Sequence, residues 1–402
     1  MPNACAHQHP HLPMPIIRKL SATFAITIAA LLAGCGTPAP KLTAQAGSAV
    51  PAKPTEVLRK VPFAALPGWG TDDLREAWPA FLSSCDILAQ KSDWREPCAA
   101  ARKENATDLA AIRAFFEYHF SPHQVLNPDG SDTGLMTGYY EPLLRGARKR
   151  GGPYQTPLYR KPHDLLTIDL ASVYPEFKGM RLRGHLVGNK VLPYPSRAEI
   201  SQSNILAGKE LLWVDDPIEA FFLQVQGSGR VQLADTRETV RVAYADQNGY
   251  PYKSIGRYLA DMGEISLDQA SAQGIKAWFV AHPTRQQELL NANPSFVFFK
   301  EEAIKNSKLG PKGALGAPLT ARRSIAVDPI YVTMGTPVFI STTHPTSNKP
   351  LQSLVMAQDT GSAIKGAIRI DYFWGFGAEA GENAGKTKQP TSVWLLLPKH
   401  AN

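Results

Sequence analysis

Short segments with the composition of β-strands, separated by glycine and proline, fill most of the chain after Leu135. The 402 residues include 31 glycines and 33 prolines, two residue types that interrupt regular structure. A chain that forms only short strands between such interruptions favours a barrel-like β fold. The predicted strands cover 187–192, 211–214, 221–225, 295–299, 331–340, 354–357, 367–373 and 393–397.

Two stretches have the periodicity of helices instead. Residues 71–120 place Trp78, Phe81 and Cys85 on one helical face, and residues 254–290 contain a second periodic apolar pattern. The fold class that we predict is therefore mainly β with peripheral helices. About 350 residues follow the N-terminal region, which is enough for two domains.

The N-terminal region has the pattern of an export signal. Arg18 and Lys19 precede an uncharged apolar run over 20–32, which is shorter than the roughly 20 residues of a membrane-spanning helix. The run ends at Leu32-Ala33-Gly34-Cys35, which resembles a bacterial lipobox with Cys35 as the lipidated first residue of the mature chain. The alternative is an ordinary signal peptide followed by a chance cysteine.

The lipobox interpretation predicts an outer-membrane lipoprotein that faces the periplasm, because Gly36 rather than aspartate follows the cysteine. Residues 1–34 would be the signal peptide, with translation starting at Met1 or Met14. Residues 35–65 would be a flexible linker, since the first part of this range is rich in Pro, Ala, Thr, Lys and Gly.

The net charge indicates an acidic polymer as partner. The formal charge is +8, and it is +6 without Arg18 and Lys19. A basic surface attracts polyanions, but export argues against nucleic acid. Peptidoglycan, whose stem peptides carry carboxylates, is the acidic polymer that an exported bacterial protein meets.

Cys85 and Cys98 are the cysteines that remain once Cys5 and Cys35 are set aside. In an oxidising compartment two such cysteines predict a disulfide, which would contribute about 3 kcal/mol in the chain-entropy model. Two free thiols are the alternative. His119 and His123 have helical spacing, but Pro122 interrupts the helix between them. We expect no metal and no cofactor.

Two aspartates occur in settings typical of catalytic groups. Asp359 ends a predicted strand just before Gly361, which permits a sharp turn. Asp371 lies among apolar and aromatic residues, where desolvation raises the pKa of a carboxyl group and favours a general acid. The alternative for either aspartate is a turn-capping role, which the neighbours of Asp359 favour more.

An aspartic protease is a rival interpretation of the first of these motifs. Asp359-Thr360-Gly361-Ser362 and Asp132-Thr133-Gly134 would form a carboxylate dyad that shares a proton. Ser131 and Gln358 argue against it, because the protease motif has apolar residues before each aspartate.

Two other segments contain residues suited to sugar binding. Tyr139 lies in 135–142, and Gln226 and Ser228 lie in 222–229. Tyrosine rings can stack on sugar faces, while amide and hydroxyl groups can bind sugar hydroxyls. The alternative is hairpin turns with core tyrosines.

Several motifs together resemble the membrane-bound lytic murein transglycosylase A family. The resemblance is collinear over roughly 66–398 and rests on 136–142, 225–229, 244–245, 248–249, 254–256, 293–299 and 357–366. The part at about 315–398 resembles the three-aspartate (3D) domain, a double-psi β-barrel, with Asp328, Asp359 and Asp371 as its aspartates. Ser362 departs from the glycine usual there.

The resemblance implies a division into domains. Residues 66–140 would hold the N-terminal helices and the first part of the double-psi barrel domain. Residues 141–243 would form an inserted smaller β-barrel domain, and 244–402 the rest of the first domain. The glycan strand would lie in a groove between them.

The resemblance also implies an activity, that of a peptidoglycan lytic exotransglycosylase, a carbon–oxygen lyase of cell-wall turnover. The 6-hydroxyl of N-acetylmuramic acid would attack its own anomeric carbon and displace N-acetylglucosamine, leaving a 1,6-anhydro end. One aspartate then suffices as acid and base. The resemblance assigns that role to Asp371, a tuning role to Asp359, and substrate binding to Thr137, Tyr139, Gln226, Ser228 and Lys365.

The expected partners are peptidoglycan glycan strands, the outer membrane through the lipid anchor, and cell-wall synthases as a candidate class. We expect a monomer. A wall-binding lipoprotein without catalysis is the remaining alternative.

Overall fold

The computed structural model describes residues 57–177, 179–304 and 306–399. The predictions for the signal peptide, for Cys35 and for most of the linker lie outside these residues. None of the described helices is long and apolar enough to span a bilayer.

The helices and strands occur in a mixed order along the chain. The α-helices are α1 (Trp78–Leu88), α2 (Ser92–Ala101), α3 (Leu109–His119), α4 (Arg197–Ser201), α5 (Pro217–Gln226), α6 (Ile255–Asp261), α7 (Ala272–Ala281), α8 (Gln286–Asn291) and α9 (Ala378–Lys386). The first ten strands are β1 (Leu58–Lys60), β2 (Phe120–Val125), β3 (Gly134–Glu141), β4 (Leu143–Ala147), β5 (Thr156–Tyr159), β6 (Leu166–Thr167), β7 (Arg183–Val187), β8 (Lys190–Pro193), β9 (Glu210–Val214) and β10 (Ser228–Leu233). The remaining strands are β11 (Thr239–Gln247), β12 (Val297–Glu302), β13 (Leu309–Lys312), β14 (Pro318–Thr320), β15 (Ser324–Ala326), β16 (Pro337–Thr343), β17 (Pro350–Asp359), β18 (Arg369–Phe376) and β19 (Lys388–Pro398).

Six strands close into a barrel. The pairings run β3–β18–β15–β17–β16–β19 and return from β19 to β3, so every strand of the ring has two neighbours. Alternate side chains of these strands fill the interior, among them Met136, Ile325, Ile370, Tyr372 and Leu395. The predicted mainly β fold with a barrel is confirmed, while its double-psi crossing pattern stays a prediction.

The N-terminal helices pack against one side of the barrel, as predicted. Trp78 and Phe81 of α1 and Phe116 of α3 form one buried cluster with Phe339 of β16 and Trp394 of β19. A disulfide joins Cys85 and Cys98, with the two Cα atoms 5.3 Å apart, and so links α1 to α2.

A second sheet of six strands has the order β12-β11-β10-β4-β9-β5. Helix α5 lies between this sheet and helices α6–α8, because Ala220 and Leu223 pack on the sheet while Ile218 and Phe221 pack on the helices. Strands β6, β7 and β8 form a separate small sheet. The domain boundaries remain a prediction, and the second sheet itself draws its strands from 143–302.

The predicted strand over 221–225 is wrong, because these residues belong to α5. The Asp216 carboxylate accepts hydrogen bonds from the backbone nitrogens of Ile218 (2.9 Å) and Glu219 (3.3 Å), which caps the helix start. Pro217 occupies the first turn, and Gly227 ends the helix with a φ of 81°. Burial on two sides gives the helix a continuous apolar run that resembles a buried strand.

Two other predicted strands have different limits. The range 187–192 contains the turn of a hairpin, in which Val187 of β7 pairs with Lys190 of β8. In the range 331–340 the strand starts only at Pro337, because a turn bonded to the Asp328 carbonyl, from the nitrogens of Tyr331 and Val332, comes first.

Candidate active site

Asp371 and Asp359 lie in one row across the outside of the barrel. Ala326 of β15 pairs with Asp359 of β17 on one side and with Asp371 of β18 on the other. Asp371 in turn pairs with Thr137 of β3. Directly paired residues point to the same face of a sheet, so folding brings both predicted catalytic aspartates and Thr137 together.

The surroundings of Asp371 are apolar. Tyr139 and Phe373, with ring centroids 5.1 Å apart, form a small cluster there with Leu319, Ala326 and Ile364. Burial against this cluster raises the pKa of Asp371 from 3.8 to about 6. The hydrogen bond from Thr137 and the charge of Arg369 oppose this rise, and the nearby Asp359 charge adds to it.

Thr137 and Arg369 hold the Asp371 carboxylate from one side. The Thr137 hydroxyl donates to Asp371 Oδ1 over 2.6 Å and accepts from the Arg369 guanidinium over 2.9 Å. Because the arginine nitrogen can only donate, the threonine proton must point towards Asp371. Asp371 Oδ2 accepts no hydrogen bond from the residues that the structure describes.

Asp359 is held by three donors instead of one. The Tyr139 hydroxyl donates to Oδ2 over 3.0 Å, and the backbone nitrogens of Ala314 and Thr360 donate to Oδ1 over 3.0 and 2.9 Å. Burial raises the pKa of Asp359, but these three bonds and the positive charge of Arg181 oppose the rise. The two aspartates therefore have different environments, because more hydrogen-bond donors stabilise the carboxylate of Asp359 than that of Asp371.

The other predicted substrate-binding residues have different surroundings. Tyr139 is buried, with 9% of its surface exposed, and its hydroxyl is engaged by Asp359. Gln226 Oε1 accepts from the backbone nitrogen of Tyr140 over 3.0 Å. Ser228 is buried at the start of β10, and Lys365 is exposed in the loop between β17 and β18.

Asp328, the third aspartate of the C-terminal motif, has a structural position. It is 2% exposed, and its Oδ2 accepts from the backbone nitrogen of Gly366 over 2.9 Å. Its other oxygen accepts from the nitrogen of Ile330 over 3.2 Å. Asp328 thus fixes the loop that connects the strands of Asp359 and Asp371.

The protease dyad is not assembled. Asp132 is exposed in the loop before β3, and its carboxylate accepts from Gln124 Nε2 over 3.1 Å. Asp359 lies in the row of Thr137, and Thr137 is five residues further along the chain than Asp132. Different donors bind the two aspartates. A shared proton requires two adjacent carboxyl groups, which these residues do not provide.

A separate cavity of about 1060 Å³ lies between β4, α5, α7 and α9. Gln226 and Tyr140 line it, whereas Asp371 and Asp359 do not. Its carboxylates are already engaged, since Asp215 pairs with Arg145 and Glu219 with Lys276. The chemistry described above therefore belongs to the row of aspartates and not to this cavity.

Sequence reasoning missed Arg369 and Arg181. Arg369 lies two residues before Asp371 on the same strand, so period-2 alternation could have placed it on the same face. Arg181 comes from the segment before β7, and nothing in the sequence pattern connects it with Asp359.

Comparison with protein families identifies both parts of the fold. Residues 135–300 match the MltA specific insert domain, and residues 323–397 match the 3D domain. A 3D domain combined with this insert defines the MltA class of proteins.

Individual relatives support the same family. The membrane-bound lytic murein transglycosylase A of Escherichia coli (strain K12) is 34% identical over 279 residues, which is 68% of either chain. The crystal structure of MltA from Neisseria gonorrhoeae (monoclinic form) is 40% identical, with a TM-score of 0.76 over 86% of this chain and 93% of that one. E. coli MltA with bound chitohexaose is 26% identical, with a TM-score of 0.65 over 86% and 95% of the two chains. The chain belongs to the membrane-bound lytic murein transglycosylase A family.

Proposed function

We propose that this protein is a peptidoglycan lytic transglycosylase with Asp371 as its single acid and base. One observation supports the assignment of this role to Asp371 and not to Asp359. Of the two aspartates in the row, Asp371 has a pKa raised to about 6 and a single side-chain donor, whereas Asp359 has three donors. A carboxyl group that gives up and then regains a proton near neutral pH needs a pKa in this range.

The reaction needs no second carboxyl group. Protonated Asp371 gives its proton to the glycosidic oxygen while the bond from that oxygen to the muramyl anomeric carbon breaks. The resulting carboxylate takes the proton of the muramyl 6-hydroxyl as this oxygen bonds to the anomeric carbon. The products are a free 4-hydroxyl on N-acetylglucosamine and a 1,6-anhydromuramyl end, and Asp371 is protonated again.

The neighbours of Asp371 prepare it for both steps. Because Thr137 occupies Oδ1, we assign the proton transfers to Oδ2. The Asp359 carboxylate lies one strand away from Ala326 and two strands away from Asp371. Its negative charge favours the protonated form of Asp371 and stabilises the positive charge that develops on the sugar ring.

The substrate assignment rests on relatives and on the groups near the row. A relative binds chitohexaose, a β-1,4-linked amino-sugar oligomer. We propose that Gln226, Ser228 and Lys365 contact the glycan, and that Thr137 and Tyr139 act through the two carboxylates that they bind. The cut site between N-acetylmuramic acid and N-acetylglucosamine, the exo preference, the lyase class and the role in wall turnover belong to the same proposal.

The test of the reaction is product analysis. Purified sacculi digested by the protein should release 1,6-anhydromuropeptides and no reducing muramic acid, as read by mass spectrometry. Reducing ends would mean that water is the nucleophile. Asp132→Asn is the matched control, because it neutralises an exposed aspartate outside the row and should leave the products and their rate unchanged. A dead Asp132→Asn variant would revive the protease interpretation.

The relatives are membrane-bound by name, and we propose that this chain is an outer-membrane lipoprotein anchored through Cys35 and facing the periplasm. The Cys35→Ser variant should lose acylation and leave the membrane fraction, as measured by fractionation and immunoblotting. If the unacylated variant still sediments with the outer membrane, another element anchors the protein. Cell-wall synthases as partners and a monomeric state belong to the same proposal.

A further inference from the structure

A β-bulge interrupts β17 just before Asp359. Ile325 of β15 pairs with Ala357, and the next residue of β15, Ala326, pairs with Asp359. Gln358 is therefore an extra residue on β17. Ala357 belongs to the apolar interior of the barrel, and strict alternation would place Asp359 on the same side. The extra residue instead brings Asp359 to the outer face, since bulges change the direction in which the following side chains point.

The Gln358 side chain is fully buried, and its amide is bonded at both ends. Its Oε1 accepts from the Ser324 hydroxyl over 2.6 Å. Its Nε2 points to α1, where the Ala80 carbonyl lies 2.9 Å away and the hydroxyls of Ser83 and Ser84 lie 3.0 Å away. Both hydroxyls donate to the Ala80 carbonyl, so their oxygens can accept from the amide. The amide thus connects the bulge to β15 and to α1.

The backbone of the bulge also positions a donor to Asp359. The loop between β13 and β14 lies against it, and the Leu315 nitrogen donates to the Gln358 carbonyl over 3.0 Å. The preceding nitrogen in this loop, that of Ala314, donates to Asp359 Oδ1 over 3.0 Å. A side chain at Gly313 would collide with the Gln358 carbonyl, so the close approach of the loop requires glycine. A displaced bulge would therefore disturb the aspartate and its donor together.

A buried amide at this contact indicates a directional role. The side chains that β17 packs against the helices before the bulge, Leu354 and Met356, are apolar members of the cluster with α1 and α3. An apolar side chain at Gln358 would fill the space without the desolvation of an amide. A fully bonded amide, in contrast, favours a single arrangement of its partners. Packing alone does not account for Gln358.

We propose that Gln358 is a positioning residue that holds Asp359 on the outer face of the barrel, against the Ala314 amide. Gln358 does not touch the substrate and acts only through Asp359, whose negative charge assists Asp371. The inference rests on the proposed function for its effect on turnover. The position of the Asp359 carboxylate is measured without reference to that function.

The first measurement is structural. Gln358→Met removes the amide and keeps an unbranched side chain. In a crystal structure of this variant, Ala314 N and Asp359 Oδ1 should be more than about 3.5 Å apart, beyond hydrogen-bond range. Gln352→Met is the control, because it makes the same change earlier on β17, where the amide donates to Ser341 Oγ over 3.3 Å. It should leave the distance unchanged, and an unchanged distance in Gln358→Met would overturn the inference.

The second measurement is kinetic. Gln358→Met should lower kcat for soluble glycan strands by up to about 10²-fold, which a displacement of about 1 Å can cost. KM should stay the same, because Asp359 assists the transition state and not substrate binding. In an Asp359→Asn background the same substitution should cost much less, since the group that Gln358 positions is already altered. A residue that only supports the fold would lower activity by the same factor in both backgrounds.

A second variant covers the case in which Gln358→Met folds poorly. The double substitution Ser83→Ala and Ser84→Ala removes two acceptors of the amide, and alanine favours a helix. It should lower kcat in the same direction by a smaller factor, again less in the Asp359→Asn background. Equal losses in both backgrounds, or no loss of kcat, would overturn the inference. Reducing muramic acid ends from the wild-type protein would instead defeat the proposed reaction, and the measured position of Asp359 would still stand.

Discussion

Asp371→Asn should lower the turnover of glycan strands by at least about 10²–10⁴-fold, the usual contribution of general acid–base catalysis. Asparagine keeps the size of the side chain, and its amide oxygen can still accept the hydrogen bond of Thr137, but it cannot give a proton to the leaving oxygen. Binding of glycan strands should persist. Release of anhydromuropeptides and strand binding should be measured on the same preparation. Unchanged turnover would favour a wall-binding protein without catalysis at this residue.

Asp359→Asn is the matched comparison, because it makes the same chemical change in the same row. Its effect on turnover should be smaller, since Asp359 tunes Asp371 and transfers no proton. An inactive Asp359→Asn beside an active Asp371→Asn would mean that the two roles are reversed.

The pH dependence of activity and stability separates a chemical effect from misfolding. Asp371 acts first as an acid, so activity should fall as pH rises through its pKa of about 6. A carboxyl group whose pKa is higher in the folded state stabilises the fold fully below its unfolded value, and this contribution is lost as pH rises through the folded value. The shift from 3.8 to about 6 corresponds at most to about 3 kcal/mol at 1.36 kcal/mol per unit.

Asp371→Asn should therefore raise the melting temperature at pH 7.5 but not at pH 4, when thermal unfolding is followed by circular dichroism. A variant that is less active and yet more stable at neutral pH has lost chemistry and not structure. A lower melting temperature at both values would contradict the raised pKa.

The sequence predicts correctly those strands in which apolar and polar residues alternate or whose ends are marked by turn residues. The prediction fails where burial on both sides of a helix removes its helical periodicity. The ranges 354–357 and 393–397 lie inside β17 and β19. The apolar run over 221–225 predicts a strand because α5 is buried on two sides, although Asp216, Pro217 and Gly227 mark the ends of a helix. Closure of the barrel depends on the pairing of β3 with β19, whose residues are some 250 positions apart, and no local pattern encodes that contact.

The site was predictable in its residues but not in its arrangement. The sequence settings of Asp371 and Asp359 predict functional carboxylates, but their common row depends on the register of Ala326 with both strands. Tyr139 was expected to contact sugar, whereas its hydroxyl binds Asp359. The Arg369 contact with Thr137 and the charge of Arg181 near Asp359 arise only from tertiary structure.

Glu141 connects the barrel to the second sheet, and we expect its substitution to be among the most destabilising in the protein. It ends β3, is fully buried, and accepts from Arg230 Nε over 2.8 Å and from Arg241 Nε over 2.5 Å. The same arginines donate to the carbonyls of Ser307 (2.9 Å) and Leu309 (2.7 Å). Glu141 precedes β4, and Ser307 and Leu309 follow β12, so one cluster holds both connections between the two sheets.

Glu141→Gln should lower the free energy of unfolding by roughly 3–5 kcal/mol, because removing one partner of a buried ion pair leaves uncompensated charge. Here two buried guanidinium groups would lose the one carboxylate that pairs with them among residues 57–177, 179–304 and 306–399. Glutamine matches the shape of glutamate without its charge. Urea denaturation measures the change. Glu382→Gln is the control, since Glu382 forms an exposed pair with Lys386 on α9 and should cost less than about 1 kcal/mol. Equal and small effects of the two substitutions would show that water reaches Arg230 and Arg241 once the carboxylate is gone, and that packing rather than charge holds the two sheets together.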